Sequence, residues 1–254
     1  MKFVLSIDDS RFATFNQRAI EAFGEEIAFT RVSITPENLP VPKPGWWVGD
    51  VDRWAVTQAI LSALKQASEA GEDCEIYEDD CVFASDFADR RAEILASVPD
   101  DWSMIYFGGQ LLARQFYPLG EVEGNTAVLL CKNVHRNHAW VCRRSAISRL
   151  IEWLEAPNWP CTQTSDWRIG YLQMQDDFVT YIPKDGWICG QGANHSHLDH
   201  REYPDRWWHF TEPQMSEEKA LWDAFDAAQK EAEEQARFEA WKAKMDAKQG
   251  VTEG

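Results

Sequence analysis

The sequence predicts an α/β domain built on a largely parallel sheet. Two observations carry this expectation. Short apolar runs with β-branched members alternate with segments whose apolar residues recur at helical spacing, and glycines or acidic clusters punctuate the junctions. A chain of 254 residues, 44% hydrophobic and with 13 tryptophans, has enough apolar surface for a sizeable core. Right-handed crossovers follow by default.

"KFVLSI" (2–7) reads as a first buried strand stopped by "DDSR". Residues 15–23 form a helix that Gly24 ends, and "IAFTRVSI" (27–34) is a second strand. After a proline-rich loop (35–49), Trp54, Ile60, Leu61 and Leu64 mark a helix with Asp52 as N-cap and Gly71 as its stop. "CEIY" (74–77) is a short strand that runs directly into "EDDCVF". A helix near 86–97 follows, and then "DWSMIYFGG" (101–109), a strand ended by a glycine pair.

The second half is less regular. "HAWVC" (138–142) is a strand, and Ile147, Leu150, Ile151 and Leu154 give the next helix one apolar stripe. "TSDWRIGYLQMQ" (164–175) opens on a cap signal and turns helical, and "FVTYIP" (178–183) is a strand. From Ser216 the composition shifts to Ala, Glu, Lys and Gln, with Leu221, Trp222, Phe225, Ala228, Phe238, Trp241 and Met245 on a helical period. The expected organisation is one domain over 1–213 and a charged amphipathic helical tail over 214–254. That tail offers a surface for a protein partner or for self-association.

A formal net charge of −17 disfavours a protein that grips nucleic acid mainly through phosphates, because that affinity comes from Lys and Arg displacing counterions. Only the stretch from Lys132 to Arg149 is notably basic. The six cysteines show no C-x-x-C pair and read as buried, reduced thiols. The first apolar run is too short for a signal peptide, and no stretch approaches the ~20 apolar residues of a membrane helix. A soluble, cytoplasmic protein is expected.

Two motifs carry chemistry. In "EIYEDD" three carboxylates follow an apolar strand and repel one another, so burying them is costly unless something positive sits among them. Strand ends are where open α/β sheets bind ligands, and hard oxygen donors there suit Mg²⁺ or Mn²⁺ bridging a diphosphate. The other reading is a solvated acidic turn. "HSHLDH" (195–200) matches the H-x-H-x-D-H string of metallo-β-lactamase-type hydrolases. That site needs further ligands from later strands, yet only His209 follows. The alternatives are a polar loop with chance histidines, or His195 or His197 completing a metal held mainly by "EDD".

"EDDCVF", with Arg11 after the first strand, the preceding helix and "DWSMIYFGG", resembles the acidic block of glycosyltransferase family 25, the lipooligosaccharide and collagen galactosyltransferases. "NHAWVCRRSAISRLIEWL", "SDW" and "CGQGANHSHLD" resemble later segments of that family, so the resemblance spans roughly residues 2 to 200. The family's N-terminal "N-L-x-R-R" is here only "SIDDSR", and its Ser-His before the acidic block is missing.

The resemblance implies a GT-A-like nucleotide-sugar-binding mixed sheet flanked by helices, and a metal-dependent transferase moving a sugar, from a UDP-sugar first of all, to a hydroxyl acceptor. Asp80, with Asp79, holds the divalent ion, which stabilises charge on the leaving diphosphate. Glu78 orients that shell or contacts the ribose. In an inverting reaction Asp166 takes the acceptor proton; its other reading is a helix N-cap neighbour. Arg11 contacts diphosphate or base, or makes a plain salt bridge. Gly108 and Gly109 let backbone approach the donor, or simply end a strand. Trp46, Trp47, Trp207 and Trp208 are candidate sugar-stacking platforms. The acceptor is a glycan or a hydroxylated base in DNA, the latter using the basic stretch. A metal-dependent hydrolase or phosphoesterase, and a non-catalytic scaffold docking through its tail, are the competing functions.

Overall fold

The computed structural model describes residues 1–112, 118–157, 164–195 and 202–210, together with single or paired helical positions between 219 and 239. The chain divides into two compact units, Met1–Thr211 and Glu212–Gly254. Of the tail residues that carry the predicted apolar stripe, only Ala228 is described, and it is helical. The others lie outside the described residues.

The first unit opens with β1 (Lys2–Leu5), α1 (Asp9–Phe23), β2 (Thr30–Val32) and α2 (Val51–Ala70). Next come β3 (Cys74–Glu78), β4 (Cys81–Phe83), α3 (Phe87–Ser97) and β5 (Met104–Leu111). It continues with β6 (Gly120–Glu121), β7 (Val128–Cys131), β8 (Val134–Cys142), α4 (Arg144–Glu155) and α5 (Ser165–Leu172). β9 (Thr180–Pro183), β10 (Cys189–Gln191), β11 (Asn194–His195) and β12 (Glu202–Tyr203) complete it.

One sheet of order β2-β1-β3-β8-β5-β9-β7-β6 forms its centre. β1 runs parallel to β2 and β3, and β5 runs parallel to β9. β8 lies antiparallel to both β3 and β5, and β7 antiparallel to β6 and β9. The sheet is therefore mixed, not largely parallel. Apolar runs report burial on both faces but carry no sign of strand direction, which is why the pattern misled.

Side chains alternate cleanly between the two faces. Phe3, Leu5, Ile76, Tyr106 and Trp140 enter a core with α2, α4 and α5. Val4, Tyr77, Ile105, Phe107 and Val141 enter the opposite core with α1 and α3. There, Phe15, Phe23, Phe29, Tyr77, Phe83 and Phe87 meet at centroid distances of 4.8–6.5 Å, mostly edge-on or tilted. Glu75 faces this layer too, its carboxylate accepting from Arg91 Nε at 2.9 Å, from Arg91 Nη2 at 2.6 Å and from the Tyr77 hydroxyl.

Local chemistry shifts several predicted boundaries. α1 begins at Asp9 because the Asp8 carboxylate accepts from the Ser10 and Arg11 amides, so "DDSR" caps a helix as well as stopping a strand. α2 is capped by Asp50, which accepts from the Arg53 amide; Asp52 sits in the first turn. Gly24 and Gly71 close their helices in the left-handed conformation, as predicted. β4, β6, β7 and β10, of two to four residues each, are not among the strands that the sequence predicts. The five described cysteines are free and buried, and Cys161 lies outside the described residues. Among the described residues, no helix is long and apolar enough to cross a membrane.

Candidate active site

A cavity of about 310 Å³ opens at the carboxyl ends of β1, β2 and β3. Ligands of open α/β sheets sit at such strand ends, and the volume is that of a small-molecule pocket. Leu5, Val32, Ile34, Pro36 and Val56 make an apolar wall on the β1–β2 side. Glu78, Asp79 and Asp80 follow at the end of β3, then Arg136 and Asn137 from β8, Asp166 from the first turn of α5, and Gln191 and Arg206.

The acidic turn is built, not solvated. Asp79 and Asp80 side chains are only 8% and 11% exposed. The Asp79 amide donates to the Leu5 carbonyl at 3.2 Å, and the Asp80 carbonyl accepts from the Gly192 amide at 2.7 Å. Arg11, in the first turn of α1, forms an ion pair with Asp79 and reaches Asp80 Oδ2 at 3.6 Å. Gln191 Nε2 donates to Glu78 Oε2 at 3.0 Å and to Asp80 Oδ2 at 3.4 Å. Burial, reinforced by the charges of Asp80 and Asp79, pushes the Glu78 carboxyl up to about 8, with Arg136 opposing.

Arg136 reaches the cavity through an unusual backbone. It takes φ +63 inside β8, where the pairing with β5 shifts register between Gly108 and Gln110. A non-glycine residue in this region stores roughly 1–3 kcal/mol of strain, which recurs at functional sites. Its guanidinium lies 5.2 Å from the Trp208 ring centre, and Arg206 lies 5.0 Å from the same ring.

The structure thus gathers Arg11, Glu78, Asp79, Asp80 and Asp166 around one cavity. Asp166 Oδ1 accepts from the Thr164 hydroxyl and from the Trp167 amide at 3.0 Å; Thr164 itself is the N-cap. Gly108 and Gly109 do not line the cavity. A Cβ on Gly108 would meet the Cys189 carbonyl and the His138 ring, and one on Gly109 the Val134 side chain, so both serve packing between strands. Of His195 only the backbone is described, paired with Glu202 across β11 and β12; His197 lies outside the described residues. None of Trp46, Trp47, Trp207 or Trp208 lines the cavity. Trp47 is buried against Trp54, and Trp208 backs the two arginines. Within the basic stretch, Lys132 and Arg149 are each paired with a carboxylate, of Asp176 and Asp177.

Among the described residues, no three His, Cys, Asp or Glu side chains converge to hold a metal ion. Mg²⁺ and Mn²⁺ ask less of a protein than that, since one or two carboxylates suffice when substrate phosphates and water complete the shell. The donors here fit that pattern. Asp80 supplies a carboxylate, and Gln191 Oε1 is a buried oxygen with no hydrogen-bond partner among the described residues. No protein-family model matches the chain, and no curated protein is found similar to it.

Proposed function

We propose that this chain is a metal-dependent glycosyltransferase that takes a nucleotide-activated sugar, a UDP-sugar first of all, and passes it to a hydroxyl acceptor. The observation that carries the reading is the layout of the cavity along the sheet. Reading from β2 through β1 and β3 to β8, an apolar wall is followed by three carboxylates and then by an arginine, with Asp166 beyond. A sugar nucleotide has the same sequence of chemistry: an aromatic base, a diphosphate that binds a divalent ion, and a glycosyl carbon to be attacked.

In this reading the base lies against Val32, Ile34 and Pro36. Asp80 and Gln191 hold Mn²⁺ or Mg²⁺, which neutralises charge on the leaving diphosphate when bound. Arg11 pairs with Asp79 and braces the turn beside Asp80. Asp166 stands where an acceptor hydroxyl would lose its proton. The mixed sheet with helices on both faces supports the GT-A-like form of this fold. The pairing of Lys132 and Arg149 with carboxylates favours a glycan or other small hydroxyl acceptor over a DNA base.

The test is a thermal-shift and donor-hydrolysis screen over UDP-, GDP- and CMP-sugars with and without Mn²⁺, comparing the native chain with Asp80→Ala. A nucleotide is expected to raise Tm only when metal is present, and Asp80→Ala to abolish that dependence. Indifference to every nucleotide in the presence of metal sinks the reading.

A further inference from the structure

The same cavity contains two guanidinium groups, of Arg136 and Arg206, that lie in the field of Glu78 and Asp80 yet form no ion pair with them among the described residues. Arg206 is 6% exposed, its Nε has no hydrogen-bond partner, and it forms no ion pair among the described residues. Its ring contacts are with Tyr203 at 4.0 Å and Trp208 at 5.0 Å, and its backbone is fixed by two 2.8 Å hydrogen bonds with Gln191. Arg136 shares the Trp208 ring and also forms no ion pair among the described residues; its hydrogen bond is to Gln110 at 3.4 Å. Both line the cavity beside Glu78, Asp80 and Asp166.

Arg206 is buried with an unbonded Nε, and Arg136 sits exposed on the same indole, so the pair keeps donor capacity for an anion that enters the cavity. Asp79 pairs with Arg11, Gln191 donates to Glu78 and Asp80, and Asp166 accepts from Thr164 and Trp167; among the described residues no hydrogen bond or ion pair joins these carboxylates to either guanidinium. A guanidinium presents a planar fork of donors that matches phosphate oxygens, and an aromatic ring behind it fixes the plane of that fork. Arg136 additionally bears left-handed backbone strain to be there.

We infer that Arg136 and Arg206, backed by Trp208, form an anion clamp for the terminal phosphate of a diphosphate, separate from the cation held by the acidic turn. Resting on the transferase reading, the clamp acts at the leaving group. As the acceptor oxygen bonds to the glycosyl carbon, the bond from that carbon to the phosphate oxygen breaks. Its electron pair stays on the departing diphosphate, and the acceptor proton passes to Asp166. The two arginines neutralise the charge that arrives on the terminal phosphate.

The experiment uses the full chain and inorganic pyrophosphate as probe, titrated calorimetrically in EDTA and in Mn²⁺. The variants are Arg206→Gln and Arg136→Gly. Glycine adopts φ +63 without strain, so Arg136→Gly keeps the strand while removing the charge and serves if Arg206→Gln does not fold. The native chain is expected to bind pyrophosphate in EDTA, more tightly with Mn²⁺, and each variant to lose at least about tenfold in EDTA. Native affinity in either folded variant, or no binding by the native chain in either buffer, overturns the clamp. Pyrophosphate binding that depends on both arginines, with no response to any sugar nucleotide, leaves the clamp standing and removes the transferase reading instead.

Discussion

Gln191 donates its side-chain amide to Glu78 at 3.0 Å, tying the short strand β10 to the acidic end of β3 across more than a hundred residues of chain. The same amide reaches Asp80 at 3.4 Å, so one donor group serves two crowded carboxylates. Replacing it by an apolar group of similar size, Gln191→Leu, leaves both without that donor. The expected cost is about 1.5–3 kcal/mol, the range for hydrogen bonds to charged groups, read from the urea midpoint at pH 8. An unchanged midpoint would mean that the amide is a bystander.

Glu78 makes the site sensitive to pH in a defined direction. Its carboxyl is raised to about 8 by burial and by Asp80 and Asp79, whereas in the unfolded chain it titrates near 4.5. Between those values the unfolded chain loses the proton and the folded chain keeps it, so this group subtracts stability as pH rises from about 4.5 to 8. Glu78→Gln removes the effect. The Tm difference between variant and native chain is expected to be small at pH 5 and to grow to a few degrees, roughly, in favour of the variant by pH 8. A difference that shrinks with rising pH contradicts this electrostatic account.

Glu75 and Arg91 form the buried ion pair of the α1–α3 core, with Tyr77 as a third partner. Arg91→Met strands a carboxylate that is 5% exposed, at an expected cost of about 3–5 kcal/mol. The double variant Arg91→Met, Glu75→Leu is expected to recover part of that loss, because the stranded charge causes most of it. Urea denaturation of the two variants measures the recovery.

Gly108→Ala tests the packing role of the glycine pair. The added methyl would stand closer than 3.0 Å to the Cys189 backbone and the His138 ring, neither of which is the free end of a flexible chain. The expected loss is about 1–3 kcal/mol with the nucleotide response, where present, retained per folded molecule. A fully stable variant that no longer responds to nucleotide would return Gly108 to the binding surface.

How much of this was legible beforehand differs residue by residue. Glu78, Asp79 and Asp80 were readable because three carboxylates after an apolar strand demand an explanation in themselves. Arg11 is legible from its place just after the first strand, whereas Asp166 is singled out only by the resemblance to glycosyltransferase family 25, its local pattern reading equally as a helix N-cap neighbour. Arg136 is not: it enters the cavity through a left-handed backbone at a bulge, and the sequence pattern marks a strand only from His138 onward. Gln191 and Arg206 meet through an isolated bridge between distant segments, which no local pattern encodes. The antiparallel course of β8 is hidden for a related reason, since a run buried on both faces shows that a strand is central and is silent on its direction.

That central antiparallel strand also dictates an order of assembly. As the chain leaves the ribosome, β1, β2 and β3 can associate early, but the free edge of β3 stays open until residues 134–142 have been made. For that interval the nascent protein presents an unpaired strand whose last residue begins the acidic turn, and mutual charge repulsion between neighbouring nascent chains discourages them from zipping together there. The carboxylates that crowd the finished cavity therefore also guard its unfinished precursor.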